Sequence, residues 1–429
     1  MKDWYPLDNA AKVFPAVKSG KNSAVYRISV IMKEPVDEEK LQQAADTVAG
    51  RFPMFMVSMK KGIFWNYLEK NSKGIQVMKD ERYPCHEIIM EKNQGHLMKI
   101  LYYHHRISVE FFHVLTDGKG AAEFLKSLLF YYLLYSGHSV EDDGMILLEN
   151  DITEMHETDD SFLKYSSNAY YEKMTSPNSY RIKGTNFEIF GFEAVHGVME
   201  SEKLLSAAKK RGGTVTAYLT AALIYSIYQS NQAAREKKRP IVVAVPVNLR
   251  KVFPSQTLRN FFGVVNIGVM PKAITAFEDL VRQCDELLRY KTNASYLQNI
   301  ICKNVAIESK GYIQGIPLFI KKWLITAGFK QMGEKKKTLS LTNLGKLEFP
   351  DSMKQHIVQA ELLLYPTPAS PINCGVITKD DSTIFTFTRS IAETDLIQTF
   401  FSFLANEEKL QIRVYSNDWG RQNDAMQKM

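Results

Sequence analysis

The chain has 429 residues, 45% hydrophobic and 24% charged, so it is too long for one ordinary core and two domains are expected. The composition is that of a globular protein and excludes extended disorder. The formal charge, 54 Lys and Arg against 47 Asp and Glu, is +7; this scattered excess forms no basic stripe with interleaved aromatics, so nucleic-acid binding is not expected.

The N-terminus, Met1-Lys-Asp-Trp-Tyr-Pro, lacks the apolar stretch of a secretion signal. Val25 to Met32 is rich in β-branched residues and reads as a strand. Pro35–Val36–Asp37 opens a helix whose apolar positions Leu41, Ala44, Ala45 and Val48 recur at helical spacing, and it ends before Phe52–Pro53. Phe55 to Met59 and Ile63 to Leu68 read as a hairpin around Lys60–Lys61–Gly62, and Leu97 to Tyr103 and Ile107 to Phe112 as a second around His104–His105–Arg106. In the last strand Ile107, Val109 and Phe111 alternate with Ser108 and Glu110, as in a strand buried on one face.

His113 and a short loop follow, then a helix whose apolar face is Ala121, Phe124, Leu125, Leu128, Leu129 and Tyr132 and which Gly137 ends. The most apolar run, Leu128 to Tyr135, is far shorter than the roughly 20 residues of a membrane span, so no span is expected. Residues 141 to 185 are polar and read as a crossover and linker, with a short helix near Phe162 to Met174. Beyond Phe187, helices are expected at Leu204–Lys210, Thr214–Gln229, Ala276–Arg289, Ile316–Ala327 and Glu393–Leu404. Strands are expected at Ile241–Val247, Gly263–Met270, Leu339–Thr342, Ile357–Leu364, Gly375–Thr378 and Thr383–Thr388. The organisation expected is thus α/β, with one domain over 1–180 and a second over 181–429, and with antiparallel strands in both.

The four cysteines, Cys85, Cys284, Cys302 and Cys374, lie far apart and form no CxxC pair, which points to neither a zinc ribbon nor a disulfide framework and fits a reducing, cytoplasmic setting. His104–His105 reads as a hairpin turn, because adjacent side chains of a strand diverge. Cys85–His86 has no partner at metal-site spacing, so no metal is expected. No Gly-x-Ser-x-Gly elbow occurs, and Gly118-x-Gly120 lacks the rest of a nucleotide-binding loop. The basic runs Lys209–Lys210–Arg211, 235–239 and Lys335–Lys336–Lys337 read as solvated loops and helix ends; attraction of a phosphorylated ligand is the sharper reading.

The informative segment is Phe111-Phe-His113-Val-Leu-Thr-Asp117-Gly118-Lys-Gly120. An apolar strand runs into the histidine and a helix follows the second glycine. Acyl transfer to an alcohol or amine needs the acceptor's proton removed as it attacks, and a neutral imidazole does this near working pH. A strand end followed by a tight turn can hold the ring in one orientation. Asp117 would brace the turn through an ion pair rather than act on substrate, and Gly118 would allow a backbone conformation that other residues disfavour.

His113-xxx-Asp117-Gly118-x-Gly120-xxx-Phe124-Leu125 resembles the core motif of the chloramphenicol-acetyltransferase-like superfamily, which includes peptide-synthetase condensation domains, and is most similar to bacterial alcohol-acetyltransferase-like proteins. Gly213-Thr-Val-Thr-Ala-Tyr-Leu-Thr-Ala-Ala222, Val245-Pro-Val-Asn-Leu-Arg250, Asn260-Phe-Phe-Gly263-Val-Val-Asn266 and Ser340-Leu-Thr-Asn343-Leu-Gly345 follow in the superfamily's order. The resemblance implies two similar α/β domains with an active-site tunnel between them, His113 as general base, and Asp117 and Gly118 as support with Arg250 pairing Asp117. Asn266 and Asn343 are the candidates for placing the donor or the oxyanion.

It further implies acyl-CoA as co-substrate, acetyl in the simplest case, no permanently bound cofactor, a small alcohol or amine acceptor, and a site that a monomer can form. Phe112 stands where many relatives carry a first histidine; the second is the catalytic one in that pattern. No Asp-Phe-Gly-Trp-Gly segment is present, which argues against the plant branch. A non-catalytic binding relative and a stand-alone condensation-type enzyme using carrier-bound thioesters are the alternatives.

Overall fold

The computed structural model describes residues 4–80, 83–166, 172, 176–187, 193–236, 238–309 and 311–417. Three sheets organise them. A five-stranded sheet has the spatial order Ile357–Leu363, Val25–Met32, Arg106–Phe112, Met98–Tyr103, Val77–Lys79, antiparallel except at the last pair. A seven-stranded sheet runs Phe262–Val269, Ile241–Asn248, Leu339–Lys346, Ile372–Lys379, Ser382–Arg389, Glu193–Glu200, Arg413–Asn417. A small sheet joins Trp4–Pro6, Asn66–Lys70 and Val57–Lys61.

The first core packs the helices Glu38–Arg51 and Gly118–Tyr135 against the five-stranded sheet. Asp37 starts the former by accepting from the amides of Glu39 and Lys40, the N-cap its side chain predicts. Gly137, at φ +85°, ends the latter. Phe52, Phe55, Phe111 and Phe124 interlock edge-to-face and stacked at the centre, each fully buried ring contributing roughly 1.5–3 kcal/mol. The second core lies between the seven-stranded sheet and the helices Val215–Ser230, Phe277–Lys291 and Asp395–Ser402.

Several expectations are corrected. The 106–112 strand is buried on both faces, not one. Ser108 bonds Ser29 at 2.8 Å, and Glu110, 2% exposed, accepts from Arg27 Nε at 2.9 Å while Asp80 takes both terminal nitrogens of Arg27. The side chains that read as solvent-facing are instead paired with the neighbouring strand, Ser108 as one of two hydroxyls and Glu110 as an ion with Arg27, the form in which a buried charge is tolerated.

Leu339–Lys346 is parallel to both its neighbours rather than antiparallel. The first hairpin is shifted, its strands being Val57–Lys61 and Asn66–Lys70, because Gly62 donates to the Trp65 carbonyl and takes the turn to 62–65. The short helix of the linker is Ser161–Tyr165; part of its expected extent, including Met174, lies outside the described residues. The sheets are also shared: Ile357–Leu363, from late in the chain, forms the edge of the first sheet by pairing with Val25–Met32.

Candidate active site

The 106–112 strand delivers His113 to the boundary between the cores, where the His113 amide bonds the Ala24 carbonyl at 2.9 Å. The imidazole lies flat on Phe14, with centroids 4.5 Å apart and planes at 10°. Tyr26 and Phe262 close in at 4.9 and 5.2 Å. Nδ1 faces the Asn260 Oδ1 at 3.0 Å.

The Asn260 amide is oriented by its other end, since Nδ2 donates to the His113 carbonyl at 3.0 Å and to the Asp8 carboxylate at 3.2 Å. Its Oδ1 can therefore only accept, so His113 carries its proton on Nδ1 and its lone pair on Nε2. Burial pushes the imidazole pKa down, against the charge of Asp117 and hydrogen bonds to its own carbonyl, to Asn260 and to Thr116; the net direction is below the ordinary 6.5. Asp8 is fully buried, and burial raises its carboxyl to about 6 although Arg259 lies 3.5 Å away.

Asp117 sits at the start of the Gly118–Tyr135 helix and has two tasks. Its Oδ1 accepts from the amides of Lys119 and Gly120, capping the helix, and its Oδ2 accepts from Arg250 Nη1 at 2.7 Å and the Phe261 amide at 2.8 Å. Arg250 also donates to the carbonyls of Thr257 and Arg259, so the pair ties the motif helix to the 249–261 segment of the second half.

Gly118 does not occupy the left-handed region, and a Cβ there would meet only a Leu344 methyl at 2.7 Å. The steric demand falls on Gly120, whose Cβ would lie 2.2 Å from both the Leu258 carbonyl oxygen and Thr116 Oγ1. The freedom expected of Gly118 is thus close approach at Gly120, where the helix meets the 258 backbone.

Of the six residues singled out in the sequence, His113, Asp117, Gly118 and Arg250 form one constellation with the added Asn260 and Asp8. Asn266 and Asn343 line the same cavity but neither bonds the imidazole. Asn266 gives its carbonyl to Lys291 at 2.6 Å. Asn343 donates to Thr216 Oγ1 at 3.2 Å and accepts from the Gly345 amide, where its strand breaks register. Asn260 stands at the head of the quoted 260–266 segment, and only the fold shows that it rather than Asn266 reaches the histidine. Nothing in the sequence marks Asp8.

The cavity in front of His113 measures about 2230 Å³ and is lined from both halves of the chain. Leu324, Ile325, Phe329 and Met332 make one apolar wall, and Lys336 and Lys337 of the third basic run reach it. The first run is used elsewhere: Arg211 pairs with Glu408 and Glu278. Among the described residues no helix is long and apolar enough to cross a membrane, and the four cysteines are buried and form no disulfide with one another.

Two cores with a cavity between them make a fold similar to that of solved condensation-type domains and of an O-acetyltransferase. Three solved structures with this fold are similar over nearly the whole chain. The epimerization domain from the third module of tyrocidine synthetase B has a TM-score of 0.64 and 12% identity, covering 94% of this chain and 96% of that one. Trichothecene 15-O-acetyltransferase from Fusarium sporotrichioides has a TM-score of 0.60 at 11% identity, covering 94% and 95%. The starter condensation domain of rhizomide synthetase, as a mutant in complex with C8-CoA, has a TM-score of 0.60 at 13% identity, covering 94% of each. No family model matches the chain, and no curated protein matches it.

Proposed function

We propose that this chain is an acyltransferase that moves an acyl group from a coenzyme A thioester to an alcohol or amine, with His113 as general base. The observation that carries the reading is the Nδ1 to Asn260 Oδ1 contact of 3.0 Å, which fixes the tautomer with a basic Nε2. The lowered pKa keeps that nitrogen unprotonated at neutral pH.

Nε2 takes the acceptor's proton as its oxygen or nitrogen attacks the thioester carbonyl. The tetrahedral oxyanion collapses, the C–S bond breaks, and the imidazolium returns the proton to the departing thiolate. Proton transfer of this kind contributes roughly 10²–10⁴-fold. Thr216, Asn266 and Asn343 line the cavity and are the groups offered to donor and oxyanion. The Asp117–Arg250 pair is structural in this scheme.

The cavity supports a long donor. At about 2230 Å³ it exceeds the roughly 300–1,000 Å³ of an ordinary small-ligand pocket, leaving room for a pantetheine arm and an acceptor together. Lys336 and Lys337 line it too, Lys336 donating to the Ser176 carbonyl and Lys337 pairing with Glu334 at 3.1 Å, and the apolar wall suits an acyl chain.

The test is release of free thiol from acetyl-CoA and longer acyl-CoAs against a panel of alcohols and amines. Turnover is expected, and His113→Ala should reduce it by about 10²-fold or more while the protein stays folded. Turnover only with carrier-bound thioesters would instead establish a condensation-type enzyme. Tight binding of acyl-CoA without turnover would establish a binding relative.

A further inference from the structure

The geometry points to a divalent-metal site, of the class zinc occupies, formed by Glu34, His138 and His356. One ligand atom from each of these residues lies within 4.8 Å of the other two. His138 Nε2 is already 3.7 Å from Glu34 Oε2, and the two imidazoles touch with centroids 4.1 Å apart. Two imidazoles and a carboxylate are the donor set of open, four-coordinate zinc sites, in which ligand atoms stand about 3.3 Å apart at bond lengths near 2.0–2.1 Å. The spacings, all within 4.8 Å, must close by up to about 1.5 Å, through rotation of the exposed Glu34 side chain and of the two half-buried rings.

The backbones that carry the three ligands are fixed. The helix Gly118–Tyr135 ends in a turn through Gly137, φ +85°, in which the His138 amide returns to the Leu133 carbonyl at 3.0 Å. The His356 carbonyl accepts from the Lys33 amide at 2.9 Å, and the His356 amide donates to Met353, so His356 and Glu34 are held across one strand pair. Among the described residues no hydrogen bond occupies a ring nitrogen of His138 or His356. Ser136 Oγ, buried and without a partner among those residues, lines the same cavity of about 190 Å³.

None of these residues lines the catalytic cavity. The three ligands come from distant parts of the chain, so no short metal-binding spacing exists to be read in the sequence. A bound ion would join the last turn of the motif helix to the 357–363 edge strand, which makes the site structural rather than catalytic.

The experiment is zinc titration of the full chain, free of any histidine tag, against a chromophoric chelator, with metal content after dialysis and thermal melting as further readouts. One equivalent per chain is expected, together with a zinc-dependent rise in melting temperature. His113→Ala should retain the equivalent. His138→Gln or His356→Gln should weaken binding by at least about tenfold, and the double variant should melt at the same temperature with and without zinc. Absence of a stoichiometric equivalent in the wild type would overturn the site. So would binding that the double variant leaves undiminished, or that His113→Ala abolishes.

Discussion

Asp117→Asn separates support from catalysis. In the folded protein Asp117 Oδ2 accepts from Arg250 Nη1 and the Phe261 amide at 2.7 and 2.8 Å, and both ion-pair partners are less than a tenth exposed. The amide keeps Oδ1 and the helix cap, but it turns an NH₂ group toward two donors and leaves Arg250 with carbonyls alone. Removing one partner of a buried pair costs about 3–5 kcal/mol. Unfolding entropy for a chain of this length is about 0.9 kcal/mol/K, so the melting temperature should fall by about 3–6 °C.

Asp117 does not touch the imidazole Nδ1, which belongs to Asn260. Its charge raises the His113 pKa, against the larger lowering by burial. Neutralising it therefore lowers that pKa further, and the acid limb of the rate profile should move to lower pH. The assay is calorimetry alongside kcat/KM from pH 4.5 to 8, well below the melting temperature. An unchanged melting temperature would refute the structural role. An acid limb moved upward would refute the electrostatic argument.

The wild-type rate should fall on the acid side with a midpoint below 6.5, because only neutral His113 can accept a proton and burial depresses its pKa; a midpoint above 7 in steady-state profiles would exclude His113 as the base. Asn260→Asp should keep the Nδ1 bond but place a carboxylate on the ring, raising the imidazole pKa and shifting that limb upward; an unmoved profile would show that Asn260 does not control the base. Asn260→Ala should lower kcat more than it raises KM and cost about 2–4 kcal/mol in denaturant melts, since it leaves the His113 Nδ1, the His113 carbonyl and Asp8 without their partner. Gly120→Ala should destabilise by about 1–3 kcal/mol, because its Cβ meets backbone at 2.2 Å. Gly118→Ala should cost less, and equal melting temperatures for the two would contradict the close-approach argument.

What the sequence made legible follows from the range of the interactions. Val25–Met32 is found with the bounds its β-branched run predicts, and Asp37 and Gly137 mark helix ends through contacts within a few residues. Glu193–Glu200 escaped notice because its residues carry no alternation of their own. His196 is buried against Thr386, and Gly197 is small to admit the Phe401 ring, so the strand is specified by its neighbours. The parallel setting of Leu339–Lys346 is likewise absent from its own eight residues, which would read the same in either direction.

The site divides along the same line. His113 and Asp117 are four residues apart on a strand-to-helix turn, a spacing that a motif can carry. The groups that decide which nitrogen holds the proton, Asn260 and behind it Asp8, are 147 and 252 residues from their partners. Their role exists only once the 249–261 segment has been drawn across the motif helix by Arg250. The Asp117–Arg250 pair ties the segment that carries Asn260 to the motif helix. The aspartate would in this way support the proposed base without touching it, since its bonds go to Arg250 and the Phe261 amide while Nδ1 faces Asn260.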